Sequence, residues 1–97
     1  MPKYVLLLNW TEQGVKNVKD TVDRYHAARQ LVESKGGKFD AIYWTAGPYD
    51  IVSVVDAPND EAAAAATLQL AAAGNLKTLS MRAFDEDEMK GVIGQMG

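Results

Sequence analysis

The chain has no cysteine among its 97 residues. That excludes disulfide staples, thiolate metal sites and cysteine nucleophiles, and it fits a reducing compartment. It has one histidine, His26. A lone histidine without cysteine or a paired carboxylate pattern makes a poor metal site, so no metal is expected. No basic stripe is present and the net charge is −3. Binding to nucleic acid through phosphate contacts is therefore not expected. No apolar run approaches the ~20 residues that a membrane helix needs, and the short run Val5–Leu8 is interrupted too soon for a signal peptide. The expectation is a cytoplasmic protein without a membrane partner. No glycine-rich phosphate loop and no Ser-His-Asp ordering stands out, and no cofactor is expected.

What is present is a single domain spanning residues 1–97. A chain of this length buries roughly 60–65% of the surface its unfolded form exposes. Hydrophobic content of 47% and charged content of 24% are those of an ordinary globular protein. Tyr4–Trp10 is short and rich in β-formers, so it reads as a first strand. Thr11 caps a following helix, predicted to run about twenty residues with Val15, Val18, Val22, Tyr25 and Val32 on one face. Gly36-Gly37 stops it. Lys38–Thr45 is the second strand, Ala46-Gly47-Pro48 turns the chain, and Tyr49–Ala57 is the third strand. Asn59 is the N-cap of a second helix whose body is Ala62–Ala73, with Asp60 and Glu61 suited to the positive end of its dipole. Gly74 ends it. Leu76–Phe84 is the fourth strand. The acidic run Asp85–Glu88 then opens a tail helix carrying Met89, Val92 and Ile93.

The order β-α-β-β-α-β is the ferredoxin-like pattern, an α+β fold with a four-stranded antiparallel sheet and both long helices on one face. Here the short C-terminal helix follows it. Both sheet faces are apolar. Tyr4, Leu6, Leu8 and Trp10 oppose Val5 and Leu7, Ile51 and Val55 oppose Val52 and Val54, and Leu76 and Phe84 oppose Leu79 and Met81. Two helices cover only one face, and an antiparallel sheet with a wet face should alternate with polar residues. A second copy is the economical cover, which gives a homodimer in the form of a dimeric α+β barrel.

The stretches "GPYDIVSVVDAPNDEAAA" and "GNLKTLSMRAF", with "YVLLLNWTEQGVKNVKD" at the start, resemble the GYD family of small bacterial proteins. The likeness covers nearly the whole chain. Gly47, Tyr49 and Asp50 correspond to the residues behind the family's name, with Pro48 between them. The resemblance implies a ferredoxin-like dimeric barrel and no particular chemistry. The turn and third strand also resemble the effector-binding domain of leucine-responsive regulators, whose DNA-binding helices this chain lacks.

Six residues are candidates for a ligand site. Asp50 is either a lock on the turn before strand three, accepting from turn amides or the Thr45 hydroxyl, or an acid at a pocket rim. Tyr49 beside it either packs or presents its hydroxyl. His26 is either a surface helix residue or a general base. Arg29 falls within the predicted apolar stripe. It either snorkels to water or needs an anionic partner such as Asp50, Asp40 or a ligand carboxylate. Asn9 and Trp44 end strands one and two, where aromatic and amide groups either close a core or line a pocket. Related dimeric barrels include cofactor-free oxygenases and haem binders. The expected function is an oligomeric small-molecule-binding module. The alternative is a cofactor-independent oxygenase or isomerase acting on an aromatic or quinone-like substrate, which requires His26, Arg29 and Asp50 to meet at one cavity.

Overall fold

The computed structural model describes residues 1–97. Four strands, β1 (Lys3–Trp10), β2 (Lys38–Trp44), β3 (Ile51–Asp56) and β4 (Leu76–Ala83), form one antiparallel sheet in the order β2-β3-β1-β4. The apolar β1 and β3 take the two central places, where both strand edges are paired. The strand boundaries agree with the sequence reading to within two residues.

Helices α3 (Asp60–Ala72) and α4 (Glu86–Gly94) also begin as expected. Asn59 Oδ1 accepts from the Ala62 amide at 2.8 Å. Asp85 and Glu88 form a reciprocal capping box ahead of α4. Gly36, which closes the helical segment before β2, and Gly74, after α3, have φ of +84° and +85°, the left-handed geometry that glycine adopts without a Cβ clash.

The first helical segment departs from the single long helix expected. It divides into α1 (Glu12–Lys16), a 3-10 turn at Val18–Asp20, and α2 (Thr21–Ser34). The chain around α1 is tied to the turn before β4. The Thr11 amide donates to the Asn75 carbonyl at 3.0 Å, and Thr11 Oγ1 donates to the Gly74 carbonyl at 2.6 Å. At Asn17 the backbone leaves helical geometry, and α2 restarts in a new direction over the sheet. The predicted face therefore holds at Tyr25 and Val32 and fails at the three earlier valines. Val15, Val18 and Val22 are 52%, 39% and 50% exposed, whereas Val32 is buried. The face of α2 that meets the sheet carries Thr21, Tyr25, Ala28 and Val32, spaced by four, three and four residues.

The core lies between the sheet and the helices. Leu6, Leu8, Ile51, Val55 and Val32 are its buried centre, with Trp10, Phe39, Ile42, Ala66 and Leu76 packed against it. A β-bulge between Phe39 and Ala41 changes the side-chain parity of β2. Phe39 and Ile42 consequently share the helix-facing side although three residues separate them.

The opposite sheet face has no covering element. Pairings Val5↔Val54, Leu7↔Val52, Val5↔Met81 and Leu7↔Leu79 place these six side chains together on it. Leu79 and Met81 are 49% and 43% exposed. At one end of this face Lys3 pairs with Asp56 at 2.8 Å and also with Asp40, and Lys38 approaches Asp40 at 3.4 Å. The Lys3 contact holds the Asp40 carboxyl below its ordinary range.

Candidate functional site

The six candidate residues do not meet at one place. Asp50 sits where β3 begins. One carboxylate oxygen accepts from the Trp10 amide at 2.8 Å and more weakly from Asn9 Nδ2 at 3.4 Å. The Asp50 amide in turn donates to the Leu8 carbonyl at 2.9 Å. Because regular β3 pairing starts only at Ile51, the carboxylate supplies the acceptor for the Trp10 amide and extends the β1–β3 ladder. Asp50 is thus a structural lock, but it fastens β1, where the sequence pointed to the turn. Thr45 Oγ1 bonds to the Tyr49 carbonyl at 2.5 Å instead, and Asn9 Nδ2 holds the Pro48 carbonyl at 2.8 Å. Tyr49 is half-buried beside this network.

His26 lies on the exposed side of α2, its ring 5.3 Å from that of Tyr25. Arg29 is exposed and pairs with Glu33, one turn along the same helix, at 3.0 Å. Neither approaches Asp50. Arg29 looked central only because the stripe was phased on Val15, Val18 and Val22. At 100° per residue those valines lie roughly a quarter-turn from the face that packs.

The structure places a cavity of about 250 Å³ between α2, α3 and the sheet. Its origin is small side chains on facing helices. Ala27 and Ala28 of α2 and Ala73 after α3 stand where larger residues would fill the gap, and alanine shortens the wall without weakening the helix. Leu8, Ile42 and Ile51 form the floor, and Leu31, Leu70 and Leu76 close the sides. A 150 Å³ apolar cavity is enough to hold benzene, so this one takes a larger ring system. A neighbouring cavity of about 30 Å³ under the alanine-rich part of α3 holds no more than water-sized occupants.

Three aromatic rings make one wall of the larger cavity. Tyr25 meets Phe39 edge-on at 5.3 Å and Trp44 edge-on at 5.9 Å. Trp44, 40% exposed, also donates from Nε1 to Thr21 Oγ1 at 3.1 Å. Of the six sequence candidates Trp44 alone reaches the cavity.

The polar part of the lining is small: Thr21, Arg24, Gln69 and Asn75. Arg24 is its one charged residue. Nη1 donates to the Asn17 carbonyl at 2.6 Å, which ties the guanidinium to the kink between α1 and α2. Nη2 is buried and has no hydrogen-bond partner. Thr78 Oγ1, outside this cavity, is the other buried polar side-chain atom in that condition. The lining contains no aspartate, glutamate, histidine or lysine. Sequence reasoning missed Arg24, Thr21 and the facing residues of α3. Phasing the helix backward from Val32 rather than forward from Val15 puts Thr21, Tyr25 and Ala28 on the inner face, with Arg24 at its edge.

Comparison with known proteins agrees with this architecture. A curated relative from Thermus thermophilus, the glutamine synthetase and cystathionine beta-lyase binding protein, is 33% identical over 85 residues, 87% of this chain and 90% of the relative. The crystal structure of TTHA0845, also from Thermus thermophilus, shares the fold with a TM-score of 0.54 at 21% identity, covering 88% of this chain and 95% of that one. The family model for the GYD domain matches residues 4–93, and with that match spanning β1 to α4 the chain belongs to the GYD domain family.

Proposed function

We propose that this chain is a non-catalytic, homodimeric binding module that holds a small, largely apolar molecule between its helices and its sheet. The observation that carries the reading is the cavity of about 250 Å³ with its aromatic wall and few polar groups. That composition is typical of a ligand site. The enzymatic alternative loses its main support. His26, Arg29 and Asp50 lie apart, and no carboxylate, histidine or lysine lines the cavity to move a proton.

The dimer rests on the uncovered sheet face. At normal strand spacing and rise, four strands of this length offer about 500 Å² of flat surface per copy. Two such faces buried together reach the lower end of specific interfaces. Contiguous apolar patches of this order are often interaction sites. Native mass spectrometry of the purified protein tests both parts at once. The expected result is a dimer mass, with a retained small molecule that disappears in Ala28→Phe, where the ring fills the cavity. A stable monomer at micromolar concentration overturns the dimer. An Ala28→Phe protein that keeps the same retained mass overturns the cavity site.

The Thermus relative is named for binding two enzymes. A protein partner is therefore the second reading, with the exposed apolar residues of α4, Met89, Val92 and Ile93, as the available contact surface. Calorimetric titration with purified glutamine synthetase tests it, and absence of a heat of binding at tens of micromolar removes it for that enzyme.

A further inference from the structure

We infer that the molecule held in the cavity is a flat, roughly two-ring body bearing one carboxylate, and that Arg24 is the residue that takes the carboxylate. The inference rests on the cavity being a ligand site, as proposed above, and adds the chemical class.

Arg24 is the one charged residue in an otherwise neutral lining. It forms no ion pair. Its sequence neighbours Asp20 and Asp23 are exposed and do not reach it. One of its nitrogens is anchored on the Asn17 carbonyl, while Nη2 is buried without an acceptor. An incoming carboxylate supplies the opposite charge to the one cation of the lining and matches the guanidinium's planar fork in a way an amide or hydroxyl does not.

Two further features favour an anion at the same end of the cavity. Arg24 stands in the first turn of the fourteen-residue α2, where the helix dipole presents its positive end. Thr21, at the start of that turn, accepts from Trp44 Nε1 and has its own hydroxyl proton free to donate. A single guanidinium with no second cation suits a monoanion better than a phosphate. The rest of the space suits a ring. Tyr25 braces both Phe39 and Trp44 edge-on, which fixes an aromatic wall, and the remaining surface is aliphatic. The volume exceeds that needed for benzene and is of the order needed for naphthalene.

The test is calorimetric titration of the purified protein with 2-naphthoate and with 2-naphthamide, which has nearly the same shape and no charge. The expected result is one naphthoate per chain, with naphthamide about ten- to a hundredfold weaker. Arg24→Met should abolish the difference between the two probes, while Arg24→Lys keeps part of it. Arg24→Met also loses the bond to the Asn17 carbonyl, so its melting temperature should fall whatever Arg24 binds, and the affinity ratio between the two probes is the readout that a structural role does not move. Equal affinity for the two probes overturns the carboxylate assignment and leaves the cavity site standing. So does wild-type affinity for naphthoate in Arg24→Met. Binding of neither probe overturns this inference and the cavity reading together. The probe pair on the unmodified protein decides the class even if a variant fails to fold.

Discussion

Asp50→Ala should be among the most damaging substitutions outside the hydrophobic core. The Asp50 carboxylate accepts the Trp10 amide at 2.8 Å, at the last point where β1 and β3 are held together. A hydrogen bond to a charged group contributes about 1.5–3 kcal/mol, and the half-buried amide left without an acceptor costs a similar amount when water reaches it poorly. Exposure on one side reduces the combined loss, so about 2 kcal/mol is the working figure. That is a large part of the roughly 5–10 kcal/mol available to a domain of this size. With a urea slope of about 1 kcal/mol/M for a small protein, the unfolding midpoint should fall by about 2 M. Asp50→Asn keeps an oxygen in the same place without the charge and should lose about half as much. Urea titration followed by tryptophan fluorescence measures both, since Trp10 sits at the lock itself. A midpoint for Asp50→Ala within about 0.5 M of the unmodified protein would refute the reasoning, as would a larger loss for Asn than for Ala.

Gly14→Ala should lower the melting temperature by about 4–24 °C. A Cβ there would lie 1.9 Å from the Asn75 carbonyl oxygen, and overpacking of that kind costs about 1–3 kcal/mol, with about 4–8 °C per kcal/mol in a domain this small. Scanning calorimetry checks it. Val52→Lys and Ile51→Lys should separate the two sheet faces. Val52 is on the uncovered face and its variant should stay folded but sediment as a monomer, whereas Ile51 is 5% exposed among core residues and its variant should lose its circular dichroism signal. Lys3→Met should flatten the acid limb of the stability curve. Asp40 has a lowered pKa through its hydrogen bond from Lys3, so its contribution is full above the unfolded value near 4 and is lost as pH falls below it. Lys3 itself is raised, chiefly by Asp40 and then Asp56, so its share persists below about pH 10 and is lost only above that. Urea melts at pH 7 and pH 3 should therefore converge in the variant more than in the parent.

The order of strands and helices was legible in the sequence because it depends on local signals. Gly36 and Gly74 stop helices through a backbone conformation that other residues avoid, Asn59 and Asp85 cap through bonds three residues long, and two apolar faces on β1, β3 and β4 follow from alternation alone. The family resemblance rested on the same stretches. The inner face of α2 was not legible, because Val15, Val18 and Val22 continue a plausible stripe across a break that only tertiary bonds create. Those bonds run from Thr11 to Gly74 and Asn75, some sixty residues away. The break rotates the following helix, turns Arg29 and His26 outward and brings Arg24 and Thr21 to the cavity. Strand β2 held a similar surprise. Strict alternation sends Phe39 and Ile42 to opposite faces, and the bulge between Phe39 and Ala41 puts both against the helices. The partner of Asp50 was also decided by register across strands rather than by nearness along the chain. Sequence by itself determined which segments form and which of their faces are apolar. The tertiary structure decided where the helices leave a gap and which side chains meet there, because both depend on contacts between residues far apart in the chain.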